Sequence, residues 1–282
     1  MIKLKADLHL HSVLSPCGDL VMTPAEIIKK AKKEGIDVLA LTDHNSAENV
    51  EVFKEYCETH NLKVIPAVET ETKEEIHILC YFPDIKSLLN WQEIIYNNLS
   101  DQENDEDFFG PQIKCDYNDD YQSKINTLLA ASVDLSLEKC VEKVKKLGGL
   151  VVPSHLDRKH SIISQLGFMP PELNFITVEI SKNTNPEAIL KKFPQFKEFQ
   201  FMQNSDSHYL KEIKAYQNLI VENFSFSEFK KAVEIDQELK IKGIINDNYK
   251  NKLYYTEAYL YGEDEELLAT AEAKFMKVNL EE

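Results

Sequence analysis

The stretch Asp7-Leu8-His9-Leu10-His11 constrains this chain most. Apolar residues precede and separate its polar ones, which reads as the end of a buried strand. Successive side chains of a strand alternate between faces, so His9 and His11 share a face and can grip one ion. Other strands that end the same way then carry the argument.

Several do. Residues 2–8 form the first expected strand. Residues 37–41 read as a second, followed at once by Thr42-Asp43-His44-Asn45. A third runs over 62–68 and ends at Glu69, and a fourth over 76–82 contains His77. Leu150-Val151-Val152 leads into Pro153-Ser154-His155-Leu156-Asp157-Arg158, residues 175–180 make a further strand, and 199–202 run into Asn204-Ser205-Asp206-Ser207-His208. Residues 218–221 and a helix over 225–233 close the series. Between the strands lie helix signals. Thr23 is an N-cap with Pro24 at the first position, Glu26 completing a capping box and Gly35 stopping the helix. Further helices are expected over 47–59, 86–99 and 136–147, with a short one from Asn185-Pro186. Strands alternating with helices argue a parallel sheet, closed as a barrel or wound open.

With 282 residues, 43% of them hydrophobic, the chain can bury a substantial core. Its 32 basic and 48 acidic residues leave a net charge of −16, which opposes non-specific attraction to a nucleic-acid backbone and argues against nucleic acid as a partner. Cys17, Cys57, Cys80, Cys115 and Cys140 contain no C-x-x-C pair and read as free thiols of a reducing compartment. With no leader-type or membrane-length apolar run, a soluble cytoplasmic protein is expected. Residues 101–107 are strongly acidic and the region to 124 lacks periodicity, so 100–125 is expected to be an insertion or lid, in its plainest form a solvated loop. From 236 to 282 the texture changes: a Tyr-rich strand over 252–261 and a helix over 264–276 form an appendage suited to docking or a subunit contact.

The chemistry concentrates at strand ends. His9, His11, Asp43, His44, Glu69, His155, Asp206 and His208 lie at or just past them, where α/β folds build their sites. Any one of these histidines alone suits a structural hydrogen bond. All but His60 and His160 of the eight histidines fall in such places, and that favours ligands.

The motifs Asp7-Leu8-His9-Leu10-His11-Ser12, Thr42-Asp43-His44-Asn45, the glutamate after the third strand, Ile76-His77-Ile78-Leu79, Ser154-His155 and Ser205-Asp206-Ser207-His208 resemble those of the polymerase and histidinol phosphatase (PHP) family over residues 4–235. The resemblance implies an α/β fold, a distorted (β/α)7 barrel occupying 1–235, and phosphoester hydrolysis with two or three divalent ions. His9, His11, Glu69 and Asp206 would hold one ion, and Glu69 would bridge to a second held with His77 and His155. A third would take His44, His208 and a residue of the 12–21 loop. Counting back from the helix start puts that residue at Asp19, whereas counting forward from the H-x-H falls nearer Cys17. The helix is the more rigid anchor and a carboxylate suits Mn²⁺ or Fe²⁺ better than a thiolate, so Asp19 is expected, with Cys17 as the alternative.

Imidazole and carboxylate shells suit Zn²⁺, Mn²⁺ or Fe²⁺, and paired ions supply hydroxide near neutral pH while neutralising a phosphoryl group. Glu69, Asp206, His208 and Arg158 are the expected catalytic residues, with the Arg158 guanidinium gripping substrate phosphate or, more plainly, pairing with surface acids. Lys182 and Asn183, past the strand ending at Ile180, are expected to add substrate contacts; His160 reads as a helix-start residue and Glu179 as structural. Asp43 reads either as orienting an imidazole or as a turn residue. The expected function is a phosphoesterase acting on a small phosphorylated metabolite or nucleotide. The alternatives are a nuclease acting on nucleic-acid ends and a non-catalytic metal-bound module that docks a partner.

Overall fold

The computed structural model describes residues 2–234, 240–249, 253–261 and 267–276. The chain separates into two compact units, 1–235 and 236–282.

The first unit opens with β1 (Ile2–Leu10), α1 (Pro24–Glu34), β2 (Val38–Leu41), α2 (Val50–Thr59), β3 (Lys63–Val64), β4 (Ala67–Glu71), β5 (His77–Tyr81) and α3 (Ile85–Tyr96). The segment expected to be a solvated loop instead holds a short helix, α4 (Glu106–Phe109), and a hairpin of β6 (Ile113–Cys115) and β7 (Tyr121–Lys124). Periodicity is missing there because polar bonds fix the segment: the buried Gln112 amide donates to Ile125 O and Thr127 O and accepts from Leu129 N, each at 2.8 Å. Then follow α5 (Leu137–Lys146), β8 (Leu150–Pro153), α6 (Ile162–Leu166), β9 (Thr177–Ile180), α7 (Pro186–Lys192), β10 (Gln200–Gln203), β11 (Gln217–Val221) and α8 (Phe226–Glu234).

The sheet expected to be parallel is mixed. β1 runs parallel to β2 and antiparallel to β11, β2 is parallel to β3, and β9 is parallel to β10. β5 runs against both of its neighbours, β4 and β8. Isolated bridges from Leu10 to Ser207 and from His44 to Glu69 connect these pieces at one rim. The single strand expected over 62–68 divides at Pro66, whose ring removes a ladder donor, and Glu69 lies inside β4 opposite Leu79.

Strands buried on both faces explain the unbroken apolar runs. Leu39, Leu41, Ile78 and Cys80 pack with Ile27, Phe53, Trp91 and Val141 of the helices, while Val38, Ala40, Leu79, Tyr81 and Val152 join Phe229 in a second cluster. Of the capping box expected on α1, half forms: Thr23 accepts from Glu26 N, while the Glu26 carboxylate takes Lys29. Gly35 at φ 67° closes the helix in the left-handed region.

The second unit is a three-stranded antiparallel sheet of β12 (Lys240–Tyr249), β13 (Leu253–Tyr261) and β14 (Leu267–Met276). The Tyr-rich strand is present, but the helix expected over 264–276 is a strand from Leu267, because pairing with β13 outweighs local propensity. Residues 264–266 lie outside the described residues. Among the described residues no helix is long and apolar enough to cross a membrane.

Candidate metal centre

Backbone bonds draw the strand ends together. Asp206 N donates to His9 O at 2.8 Å, His11 N to Ser207 O at 3.0 Å, Thr42 N to Leu10 O at 2.9 Å and Glu69 N to Asp43 O at 3.2 Å. His77 opens its strand rather than closing it. Because β5 is reversed, its first residue sits opposite Glu71 at the end of β4, and Ile78 sits opposite Pro153 at the end of β8. His155 and Asp206 have positive φ, 25° and 45°, an unfavourable backbone that non-glycine residues keep where surroundings hold it.

Four donors converge. His9 Nε2 lies 3.2 Å from His11 Nε2, 3.4 Å from Glu69 Oε2 and 3.4 Å from Asp206 Oδ1. His11 Nε2 lies 3.4 Å from Glu69 Oε2 and 3.3 Å from Asp206 Oδ1. A tetrahedron's edge is about 1.6 times its centre-to-vertex distance, so ligands at about 2.0–2.1 Å from an ion stand about 3.3–3.4 Å apart. His9 and His11 stand at that spacing from each other and from Glu69 and Asp206, and His9, His11 and Asp206 form a group of three donors.

The other oxygen of Glu69 continues the cluster. Oε1 is buried without a hydrogen-bond partner, 3.3 Å from His77 Nδ1 and 3.5 Å from His155 Nε2, and those two nitrogens are 3.2 Å apart. An unpartnered buried carboxylate oxygen facing two imidazole nitrogens fits a second cation. His44 Nδ1 approaches Glu69 Oε2 at 3.2 Å, and His11, His44 and His208 form a further group of three donors.

Hydrogen bonds on the far side of each ring decide which nitrogen faces inward. Glu179 accepts from His9 Nδ1 at 2.9 and 3.0 Å, leaving Nε2 for the centre. The Ser15 hydroxyl donates to Asp43 Oδ1 at 2.7 Å and so accepts from His11 Nδ1 at 3.0 Å. Glu71 Oε2 lies 3.2 Å from His77 Nε2, which turns the Nδ1 lone pair inward. Such carboxylate-backed imidazoles are the arrangement that orients metal-binding histidines.

The electrostatics of the site favour positive charge. Burial opposes ionisation of Glu69, yet His9 and His77 beside it hold its carboxyl well below the usual range; burial likewise opposes Asp206, which His9 and His11 hold down. His9 is raised well above its ordinary value, its burial outweighed by Glu179, Glu69 and Asp206, and His77 rises to about 10 against its burial through Glu69 and Glu71. Burial and the neighbouring His11 push His44 well down and His208 to about 4, which keeps both lone pairs free.

Asp19 Oδ1 accepts from Val21 N at 3.1 Å, and its main-chain N–H bonds His208 O at 2.9 Å. Neither Asp19 nor Cys17 joins a three-donor group among the described residues. The Cys17 thiol is pushed to about 12 by burial and by the charges of Glu69, Asp206 and Asp43. Arg158 Nη1 pairs with Asp206 Oδ2, and its Nε donates to Ser181 Oγ at 2.8 Å. A cleft of about 390 Å³ is lined by His44, Glu69, His77, His155, Asp206 and His208, with Arg158, Lys159 and His160 on its wall. His160 lies just before the Ser161 N-cap of α6 at φ 58°. Lys182 pairs with Glu212 at 3.4 Å.

Sequence reasoning gave Glu179 a structural role and missed Glu71, Ser15 and Asn204. Glu179 also accepts from His155 N at 3.0 Å and from Asn204 Nδ2 at 2.7 Å, so one buried carboxylate positions two expected ligands. An acid inside an otherwise apolar strand was the available signal.

The family model described as the PHP domain matches residues 7–150. The chain belongs to the PHP domain family. An uncharacterized protein of Methanocaldococcus jannaschii is 37% identical over 101 residues, 33% of this chain and 59% of that one. A 5'-3' exoribonuclease of Haemophilus influenzae is 35% identical over 78 residues, 27% of each. The matches thus span less than two thirds of either relative. Among solved structures, a lesion-specific endonuclease from Pyrococcus furiosus superposes with a TM-score of 0.63 at 17% identity, covering 83% of this chain and 56% of that one. A two-domain Bacteroides vulgatus protein containing a predicted PHP-like metal-dependent phosphoesterase superposes at 0.50 and 16% identity, covering 93% and 77%. At these identities the likeness is one of fold.

Proposed function

We propose that this PHP chain is a metal-dependent phosphoesterase that hydrolyses a phosphomonoester or phosphodiester of a small metabolite or nucleotide. The observation that carries it is the convergence of His9 and His11 on Glu69 and Asp206 at 3.2–3.4 Å beside the unpartnered Oε1 of Glu69. On this reading His9, His11, Glu69 and Asp206 hold one ion, Glu69, His77 and His155 a second, and His44 and His208 with the Asp19 or Cys17 loop a third. The rim is read as one mouth of a distorted (β/α)7 barrel. Bound Zn²⁺, Mn²⁺ or Fe²⁺ would neutralise phosphoryl charge and supply hydroxide near neutral pH.

The protein's own groups do the rest. Glu179, Glu71 and Ser15 keep the inward nitrogens unprotonated when cations are held. Arg158, paired through Nη1 with Asp206 Oδ2 on the wall of the cleft, would present its fork to phosphate oxygens there. The open cleft admits a small phosphoester directly. The test is elemental analysis of the purified protein coupled to a panel of nucleotides, sugar phosphates and an aryl phosphate. Two or more divalent ions per chain with phosphate release are expected, and metal-replete protein inert across the panel would refute the assignment.

A second reading, hydrolysis at nucleic-acid ends, draws support from the similarity to the exoribonuclease. The net charge of −16 opposes it. Shortening of a 5'-labelled single strand, with no release from mononucleotides, would favour it over the first.

A further inference from the structure

Asn49 opens α2 without capping it, since its side chain makes no bond to its own helix. The buried amide is spent elsewhere. Nδ2 donates to Ile113 O at 3.1 Å and to Ser12 Oγ at 3.0 Å, and Oδ1 accepts from Cys115 N at 2.9 Å. Ser12 Oγ donates onward to Asp43 Oδ2 at 2.6 Å, Asp43 Oδ1 accepts from Ser15 Oγ at 2.7 Å, and Ser15 Oγ accepts from His11 Nδ1 at 3.0 Å. Asn49, Ser12, Asp43, Ser15 and His11 are all buried, so water cannot replace a missing member cheaply.

The same hairpin grips the loop that follows His11 at other points. Ile113 N donates to Val13 O at 3.0 Å, and a Cβ on Gly110 would overlap Pro16 O, so the chains meet there at glycine distance. At the far end of the loop Asp119 accepts from Thr23 Oγ1 and, at 3.0 Å, from Ala25 N. The segment that the sequence suggested as a lid is therefore fastened along the loop from Ser12 to Ala25.

We propose that Asn49 is a positioning residue for the ion held at His11, with the β6–β7 hairpin as its anchor, so that the insertion sets how tightly that ion is kept. The inference rests on reading His11 as a ligand. Through the chain of fixed donors, the hairpin main chain holds Ser12, Asp43 and Ser15 in the one arrangement that turns His11 Nε2 inward. Removing the amide frees Ser12 and loosens the orientation of the imidazole.

The experiment compares wild type, Asn49→Ala, Asp119→Ala, Ser15→Ala and the double variant Asn49→Ala with Ser15→Ala in the full chain, loaded with Co²⁺. Affinity is read by chelator competition, ligand geometry by the visible Co²⁺ spectrum, and folding by the melting of metal-free protein. Asn49→Ala should bind one Co²⁺ about tenfold more weakly with an altered spectrum, the scale of a lost orienting bond. The double variant should bind no more weakly than Ser15→Ala, because both act through one bond. Asp119→Ala, at the half-buried turn of the hairpin, should shift affinity in the same direction and decides the matter if Asn49→Ala does not fold. Wild-type affinity and spectrum in both Asn49→Ala and Asp119→Ala would overturn the inference while leaving the metal reading intact. Wild-type protein that takes up no Co²⁺ would overturn the metal reading and this inference together.

Discussion

Replacing Glu179 by glutamine tests whether the site is built to present lone pairs to cations. The carboxylate accepts from three donors: His9 Nδ1, His155 N and Asn204 Nδ2. Glutamine has one oxygen and one amide nitrogen, so at least one buried donor would face another donor. The protein can leave it unsatisfied at about 1–3 kcal/mol. Alternatively His9 moves its proton to Nε2, which removes the lone pair from the group of donors 3.2–3.4 Å away. Loss of such a backing carboxylate costs about 10–100-fold in metal affinity. At fixed metal concentration above Kd, that reduces metal-linked stabilisation by about 1.4–2.7 kcal/mol. Chelator competition gives the affinity, and the melting-temperature gap between metal-free and metal-loaded protein gives the linked stabilisation. A Glu179→Gln protein that folds and holds metal as tightly as wild type would refute the reasoning.

Glu69→Gln should cost more, because both of its oxygens face imidazoles of different ligand sets: elemental analysis should show at least one ion fewer per chain, and full occupancy would count against a bridging role. Arg158→Ala should leave metal content unchanged and raise KM for a phosphoester about tenfold or more, by loss of a charge-assisted contact; unaltered steady-state kinetics would remove Arg158 from the substrate site. Trp91→Ala empties a fully buried position and removes the indole N–H that donates to Thr70 Oγ1 at 3.1 Å, so denaturant unfolding should show about 3–5 kcal/mol of lost stability, and a loss under 1 kcal/mol would show that α3 does not pin the core.

What could be read from the residues was local. The H-x-H pair, the acid and imidazole after β2, and the motifs beyond β8 and β10 were legible because short apolar runs mark strands, and a strand's end fixes where the next residues stand. Less legible was anything set by pairing. The mixed sheet, the break at Pro66 and the strand in place of the expected tail helix all depend on which segment lies alongside, and local pattern carries no record of that.

The same division runs through the site. The sequence by itself determined which residue types could hold a metal, imidazoles and carboxylates at strand ends. Only the tertiary structure decided that His77 reaches the rim because β5 is reversed, that Glu69 faces both ways, and that Asp19 turns to its own loop. It also decided which nitrogen each ring presents, through partners as distant in the chain as Glu179 is from His9 and Asp43 from Ser15. Hydrogen bonds between residues that far apart exist only after folding, so the orientation of a ligand is a tertiary property even where its identity is a sequence one.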